Sequence, residues 1–146
     1  MLVIRSFDMT DDLLWQEAMR IRELVFIQEQ ACPYEEEFDG LDHSSTHFLG
    51  YWNDVPVATS RLREVNGKVK LERFAVLSEV RGKGIGKSMV KESLALALTM
   101  NKPVYLHAQT SVCSLYAQFG FQKTGAPFDE VGIQHYVMTL ATPVAL

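Results

Sequence analysis

The chain has 146 residues, of which 47% are hydrophobic and 22% charged, and its formal net charge is −4. This length and composition predict one folded domain over residues 1–146, and the absence of an 18-residue apolar run argues against a membrane span. The negative charge argues against a nucleic-acid backbone as the main partner. The first residues also lack the basic flank and apolar middle of a signal peptide, so we expect a cytoplasmic protein.

The first half of the chain predicts a strand, a helix and an antiparallel meander. The helix begins near Thr10, Asp11 and Asp12, whose side chains can cap it, and ends before Cys32-Pro33. Residues 34–45 are acidic and are expected to be irregular. Asn66-Gly67 is a strong hairpin signal between two strand patterns. The predicted strands cover residues 2–7, 47–52, 55–63 and 69–76.

The second half changes to helical periodicity. A helix is predicted after Gly86, a short buried strand over 104–108, a second helix over Val112–Phe119 that Gly120 stops, and a closing strand over 133–140. A strand reached through a helical crossover is parallel to the strand before it. The order of elements therefore predicts a mixed α/β fold with helices on both faces of the sheet.

The segment that carries chemistry is the glycine-rich turn before the crossover helix. Three glycines within five residues, Gly82, Gly84 and Gly86, leave backbone N–H groups unobstructed at a helix start, where pyrophosphate can bind. A tight turn that needs glycine only for its backbone angles is the alternative. The Walker pattern fails at Arg81, and the dinucleotide pattern fails because Lys87 and Met89 occupy the possible positions of its third glycine.

At these residues the sequence resembles the GCN5-related N-acetyltransferase (GNAT) superfamily. Arg81, Gly84 and Gly86 match its signature, and the strand ending in Phe74-Ala75-Val76 has the family spacing. Residues 114–121 resemble the second cofactor motif. Further residues resemble a bacterial subgroup, the ElaA-like and YjcF-like proteins. These are Arg22, Val25, Phe26, Glu29, Gln30, His107, Ala108, Gln109, Glu130, Gly132, Ile133 and His135. Gln134 is a departure from this pattern, since proline is expected there.

The resemblance implies a single-domain fold with a splayed, mostly antiparallel sheet and acetyl-CoA as cosubstrate. It implies direct transfer of an acetyl group to a primary amine of a small molecule or peptide in a ternary complex. A non-catalytic acyl-CoA sensor on the same fold and an unrelated nucleotide-binding domain are the alternatives. The Val76 N–H is expected to polarise the thioester carbonyl. The implied cofactor contacts are Phe74, Ala75, Val76, Arg81, Gly82, Lys83, Gly84, Ile85, Gly86, Lys87 and Tyr116.

Two side chains are predicted to move protons. Tyr116 lies at the family's general-acid position, where a phenol can protonate the departing thiolate, although a helix tyrosine can equally be a packing residue. Glu72 is predicted to be the base on the same strand face as Phe74, with pairing to Arg73 or Arg61 as the rival interpretation. Transfer of the proton to water is a further possibility in this family. His107 and His135 could also serve, but both lie in apolar strand patterns that are typical of structural histidines.

The predicted acceptor contacts are Glu36, in the acidic stretch, and Glu29, which precedes it and would shape the same wall. The stretch would attract a cationic amine unless it is only a solvated loop. The four histidines and two cysteines lack the spacing of a metal site, so no metal is expected. No acyl-enzyme is expected on Cys113. A homodimer is compatible with the sequence, which does not define the oligomeric state.

Overall fold

The computed structural model describes residues 1–141, which form a seven-stranded sheet with helices on both faces. The predicted fold class is confirmed, while the predicted domain end at residue 146 lies outside the described residues. In this part of the chain, no helix is both long and apolar enough to cross a membrane. The strands are β1 (Leu2–Phe7), β2 (Thr46–Trp52), β3 (Val55–Val65), β4 (Lys68–Val76), β5 (Val104–Gln109), β6 (Phe121–Glu130) and β7 (Ile133–Leu140). The helices are α1 (Asp12–Arg22), α2 (Tyr34–Glu37), α3 (Ile85–Leu98) and α4 (Cys113–Ala117), and a π-helical segment, Glu23–Glu29, extends α1.

The strand order is β1-β2-β3-β4-β5-β7-β6, and β4 and β5 are the one parallel pair among these strands. Asn66 and Gly67 connect β3 to β4 with φ angles of 50° and 78°, which match the twist of a two-residue hairpin turn. Helix α3 makes the crossover from β4 to β5, as the sequence predicts. The parallel pairing covers only Val69–Leu71 against Val104–Leu106, so the two strands separate beyond it.

Apolar side chains form one core on each face of the sheet. The larger core lies under α3 and includes Met89, Val90, Leu71 and Leu106. The smaller core lies under α1 and includes Ile21 and other residues, namely Phe7, Leu14, Ala18, Val25, Leu49 and Ala75. Asp11 caps α1 by accepting a hydrogen bond from the Leu14 N–H at 3.3 Å. Both faces of β4 are therefore covered by helices.

A bulge in β4 changes which side chains share a face. Thr59 pairs with Ala75 and Arg61 pairs with Glu72, so β4 has one residue more than β3 between these two pairs. Arg73 absorbs the extra residue with a φ of 59°. Its side chain therefore lies on the α1 face beside that of Glu72, while Phe74 packs on the α3 face. The prediction that Glu72 shares a face with Phe74 is wrong because simple alternation fails at the bulge.

A buried ionic network fastens the acidic stretch to the α1 face. Arg22 and Arg61 are 1% and 0% exposed. Arg22 pairs with Glu37 at 2.7 Å and Asp42 at 2.6 Å, and Arg61 pairs with Asp42 at 2.9 Å. Burial alone would raise the pKa of Asp42, but hydrogen bonds from Arg22 and Arg61 outweigh burial and lower this pKa. Each charge buried here is compensated by an opposite charge, which a buried ion requires.

Three elements differ from the sequence prediction. Strand β6 was not predicted, because Gly125 and Pro127 break the strand pattern, but β6 is an edge strand with a bulge that tolerates both. Helix α2 lies in the stretch expected to be irregular, where Pro33 precedes its first turn. Helix α4 ends at Ala117 and is shorter than the predicted 112–119. Local sequence patterns identify neither an edge strand nor a buried carboxylate in an acidic run.

The ionic network gives a stability prediction. Arg61→Ala should lower the free energy of unfolding by about 3–5 kcal/mol, because it leaves Asp42, Glu72 and Asp39 as neighbouring carboxylates without their shared cation. Arg20→Ala is the matched control, since Arg20 pairs with Glu17 at the surface, and it should cost at most about 1 kcal/mol. Urea unfolding measures both losses, and equal losses would contradict a structural role for the network.

Candidate active site

A cleft of about 680 Å³ opens where β4 and β5 separate. Its floor includes Leu71 and Leu106, the last paired residues of the two strands. One end is bordered by the glycine-rich turn before α3, and the other by α2 and the β6–β7 turn. The cleft therefore connects the α3 face of the sheet with the α1 face, and two molecules can approach its centre from opposite sides.

The edge of β4 along this cleft carries backbone groups that have no strand partner. Beyond Leu71 the β4 strand no longer pairs with β5, although it remains paired with β3 through Ala75 and Val76. Exposed strand-edge N–H and C=O groups can pair with an extended ligand that contains amides. Phe74, Ala75 and Val76, the predicted contacts of the pantetheine arm, all line the cleft.

The glycine-rich turn leaves room for an anion at the start of α3. Gly84 has a φ of 80° and directly precedes Ile85, the first residue of the helix. A Cβ added to Gly82 or Gly84 would meet no described protein atom within 4 Å. The first N–H groups of an α-helix have no partner within the helix and attract a negative group. The space and the donors thus fit the pyrophosphate of coenzyme A, with Lys83 and Lys87 exposed nearby.

Arg81 and Glu29 form an ion pair at the border of the cleft. The guanidinium donates to the two carboxylate oxygens of Glu29 at 2.6 and 2.7 Å, and its Nε donates to the Val76 carbonyl at 3.0 Å. The hydrogen bond from Arg81 lowers the pKa of Glu29. This pair connects the π-helical segment to the glycine-rich turn. The Glu29 carboxylate is occupied by Arg81, so its predicted contact with the acceptor amine has no support from these surroundings.

Tyr116 lies in α4 at the α3-face end of the cleft. Its ring is 5.8 Å from that of Phe74, and the residue is 7% exposed. Burial raises the pKa of the phenol. Within residues 1–141 the phenol oxygen forms no hydrogen bond with the protein, and the side chain borders the cleft. A hydroxyl group is therefore available beside the backbone of β4, where the acid prediction requires one.

Glu72 lies at the cleft but is held by cations. Its carboxylate contacts Arg63 and pairs with Arg61 at 2.9 Å and Lys70 at 3.4 Å. Burial alone would raise the pKa of Glu72. The positive charge of Arg61, and after it those of Lys70 and Arg73, outweighs burial and lowers this pKa. A carboxylate with a lowered pKa is a weak base near neutral pH. The base role of Glu72 stays a prediction, and its surroundings favour the rival interpretation, pairing with Arg61.

The acidic run divides into three environments. Glu35 is exposed, Glu36 is exposed at the border of the cleft, and Glu37 is 3% exposed in its pair with Arg22. Burial raises the pKa of the Cys32 thiol, and the negative charges of Glu37, Glu36 and Glu130 raise it further. Glu36 and Glu130 both border the cleft, although they are distant in sequence.

A histidine and carboxylate cluster lies at the α1-face end of the cleft. His107 Nδ1 is 3.3 Å from Glu130 Oε2, and His135 Nε2 is 3.8 Å from the same oxygen. The contact with His107 lowers the pKa of Glu130. Sequence reasoning considered the two histidines but gave Glu130 no role, because β6 was not predicted. The β6–β7 turn has no usual hairpin sequence, because its first position is Val131, a β-branched residue with a φ of 48°. Across residues 1–141, no group of three or more His, Cys, Asp or Glu side chains is arranged so that it could hold a metal ion.

Comparison with known proteins agrees with this geometry. The family described as acetyltransferase (GNAT) domain matches residues 16–142. Protein ElaA of Escherichia coli is 32% identical over 126 residues, covering 82% of each chain, and its crystal structure aligns over 97% of this chain and all of that one with a TM-score of 0.87. YjcF of Bacillus subtilis, which carries the name uncharacterized N-acetyltransferase, is 34% identical over 84% of this chain and 89% of its own.

Two further solved structures share this fold. An acyl-CoA N-acyltransferase from Pseudomonas aeruginosa is 30% identical, with a TM-score of 0.87 over 97% of this chain and all of that one. A GNAT family acetyltransferase from Elizabethkingia anophelis with acetyl-CoA bound shares the fold at 16% identity, with a TM-score of 0.71 over 97% of this chain and 98% of that one. The fold, the motif residues and these matches together show that the chain belongs to the GNAT acetyltransferase family.

Proposed function

We propose that this protein transfers an acetyl group from acetyl-CoA to a primary amine by direct attack in a ternary complex. The observation that carries the proposal is the unpaired edge of β4, which leads toward the open glycine-rich start of α3. A pyrophosphate group and an amide-containing arm are the two parts of coenzyme A that these features suit. Relatives named as acyltransferases with the same fold support the assignment.

In this proposal, the backbone of the glycine-rich turn holds the pyrophosphate through the N–H groups at the start of α3. Residues 74–76 pair with the pantetheine arm as an additional strand would, and the Val76 N–H polarises the thioester carbonyl. Coenzyme A brings the activated acyl group. The protein fixes the position of the thioester and stabilises the oxyanion that forms when the amine attacks.

The acceptor enters from the α1 face. The arginines that line the cleft are already paired, Arg73 with Glu37 at 3.1 Å and Arg81 with Glu29. Glu36 has no cationic side-chain partner among residues 1–141, and Glu130 contacts only histidines and no lysine or arginine. The charge that this entrance presents is therefore negative, which favours an acceptor that arrives as an ammonium ion.

Tyr116 protonates the leaving group. The attacking nitrogen forms a bond to the carbonyl carbon, the C–S bond breaks, and the thiolate of coenzyme A takes the phenolic proton. Because burial raises the pKa of Tyr116, the phenol stays protonated until the thiolate develops. The nitrogen, which carries a positive charge after the attack, loses a proton to solvent and becomes the amide nitrogen, and solvent returns a proton to the phenolate.

Release of coenzyme A from acetyl-CoA in the presence of an amine panel tests the function. The wild-type protein should release free thiol with at least one amine, whereas Gly86→Val should bind no acetyl-CoA, because its methyl branches would fill the cleft beside Val76 at the proposed cofactor site. Gly86→Ala is the matched control: its Cβ would lie 3.7 Å from Val76 Cγ2, an ordinary contact, so binding should persist. Calorimetry measures binding. Tight binding without thiol release would favour the sensor alternative, and equal affinity in both variants would contradict the cofactor site.

The acid role of Tyr116 is tested by Tyr116→Phe, which removes the hydroxyl and keeps the ring against Phe74. Turnover should fall by about 10²-fold, with the affinity for acetyl-CoA nearly unchanged, if phenol protonation of the thiolate is required. Steady-state kinetics with the best amine of the panel provide the comparison. A wild-type rate in this variant would make Tyr116 a packing residue.

A further inference from the structure

An amine that arrives as an ammonium ion must lose a proton before it can attack, and Glu72 is too strongly paired to accept it. We propose that His107 accepts this proton through Nε2 and that Glu130 positions its ring. The inference rests on the proposed function and adds a catalytic base and a positioning residue to the same cleft.

The position of His107 in β5 directs its side chain toward the acceptor entrance. Val104, Leu106 and Ala108 alternate with it and are buried in the core under α3. Because successive side chains of a strand point to opposite faces, His107 faces the α1 side. It borders the same cleft as Val76 and Tyr116. The proposed thioester position beside Val76 and the imidazole of His107 are therefore reached from opposite faces of the same cleft.

Three neighbours hold the imidazole ring. Glu130 Oε2 lies 3.3 Å from Nδ1, which is buried and has no partner in well-aligned hydrogen-bond geometry. The Phe128 ring meets the imidazole edge-on at a centroid distance of 5.1 Å, and the Tyr105 ring lies at 5.9 Å. A buried Nδ1 beside a carboxylate carries the hydrogen, which leaves the lone pair on Nε2. Among residues 1–141, no hydrogen bond occupies His107 Nε2. A catalytic contact such as that between His107 Nδ1 and Glu130 is often long in a protein without substrate and shortens when substrate binds.

The other titratable groups around His107 do not replace it. His135 on β7 is buried, its Nδ1 lies 2.7 Å from the Ile133 carbonyl and its Nε2 faces Glu130 Oε2 at 3.8 Å, so neither nitrogen is open to the acceptor. On β4, Lys70 and Glu72 are paired with each other at 3.4 Å. Burial raises the pKa of Tyr105 on β5, which keeps that phenol protonated and unable to act as a base. His107 is thus the cleft side chain with both a free nitrogen and a carboxylate partner.

The proton transfer is balanced within the proposed reaction. The ammonium N–H bond breaks and its proton binds to Nε2, which gives an imidazolium whose charge Glu130 offsets. The freed nitrogen lone pair attacks the thioester carbonyl carbon. The imidazolium then loses its proton to solvent from the α1 face. No oxidant, metal or second cofactor takes part in these steps.

The test compares two amines that differ in protonation at pH 7. n-Butylamine is almost wholly an ammonium ion, whereas hydroxylamine is almost wholly neutral and needs no base before it attacks. With acetyl-CoA saturating, His107→Gln should reduce coenzyme A release by about 10²-fold with n-butylamine and by only a few-fold with hydroxylamine. Glu130→Gln should show the same dependence on the amine with a smaller loss. His43→Gln removes an exposed imidazole outside the cleft and is the matched control.

An equal loss with both amines, or no loss with n-butylamine in a variant that still binds acetyl-CoA, would overturn the proposal. If the wild-type protein uses neither amine, an NMR titration of the Glu130 carboxyl decides whether the pair exists. His107→Gln should raise the pKa of Glu130, because the contact that lowers it is lost, and His43→Gln should not. An unchanged Glu130 pKa would overturn the pairing. If no amine causes thiol release but the His107–Glu130 pair is intact, the result would contradict the proposed function and would leave the pairing standing.

Discussion

The separation of β4 from β5 is the constraint on which the rest of the structure depends. Pairing ends at Leu71 and Leu106, and the bulge at Arg73 turns the remainder of β4 relative to its neighbours. A strand edge that is buried normally needs partners for its N–H and C=O groups. Here those groups border a cleft, so a ligand with its own amides can satisfy them. In the proposed function, this edge is a binding site that incomplete sheet pairing creates.

The two walls of the cleft are supported by different interactions. The α3 side is an apolar core from which Phe74 and Tyr116 extend to the cleft. The α1 side depends on the buried arginines Arg22 and Arg61 and their carboxylates, which fix the segment that carries Glu36. Ion pairs need defined geometry to offset desolvation, so this wall tolerates substitution less well than an apolar one. Such rigidity suits the role that the proposed function gives this wall, which is to position the acceptor amine.

Much of the fold could be predicted because its signals are local. Asn66-Gly67 specifies a hairpin, and the glycines from Gly82 to Gly86 specify a helix start that is open to an anion. The bulge at Arg73 could not be predicted, since a positive φ in an arginine has no sequence signature and is imposed by pairing with β3. The contact of His107 with Glu130 also required an edge strand whose sequence contains glycine and proline. Long-range pairing decides both features.

A crystal structure of this protein with acetyl-CoA would test the central claim most directly. We expect the pantetheine arm to form backbone hydrogen bonds with residues 74–76 of β4, and the pyrophosphate to contact the N–H groups of residues 82–86. The acetyl group should then lie between Tyr116 and His107. Coenzyme A bound away from the β4 edge, or an edge that closes on β5 when the cofactor binds, would contradict the claim that incomplete pairing of β4 creates the site.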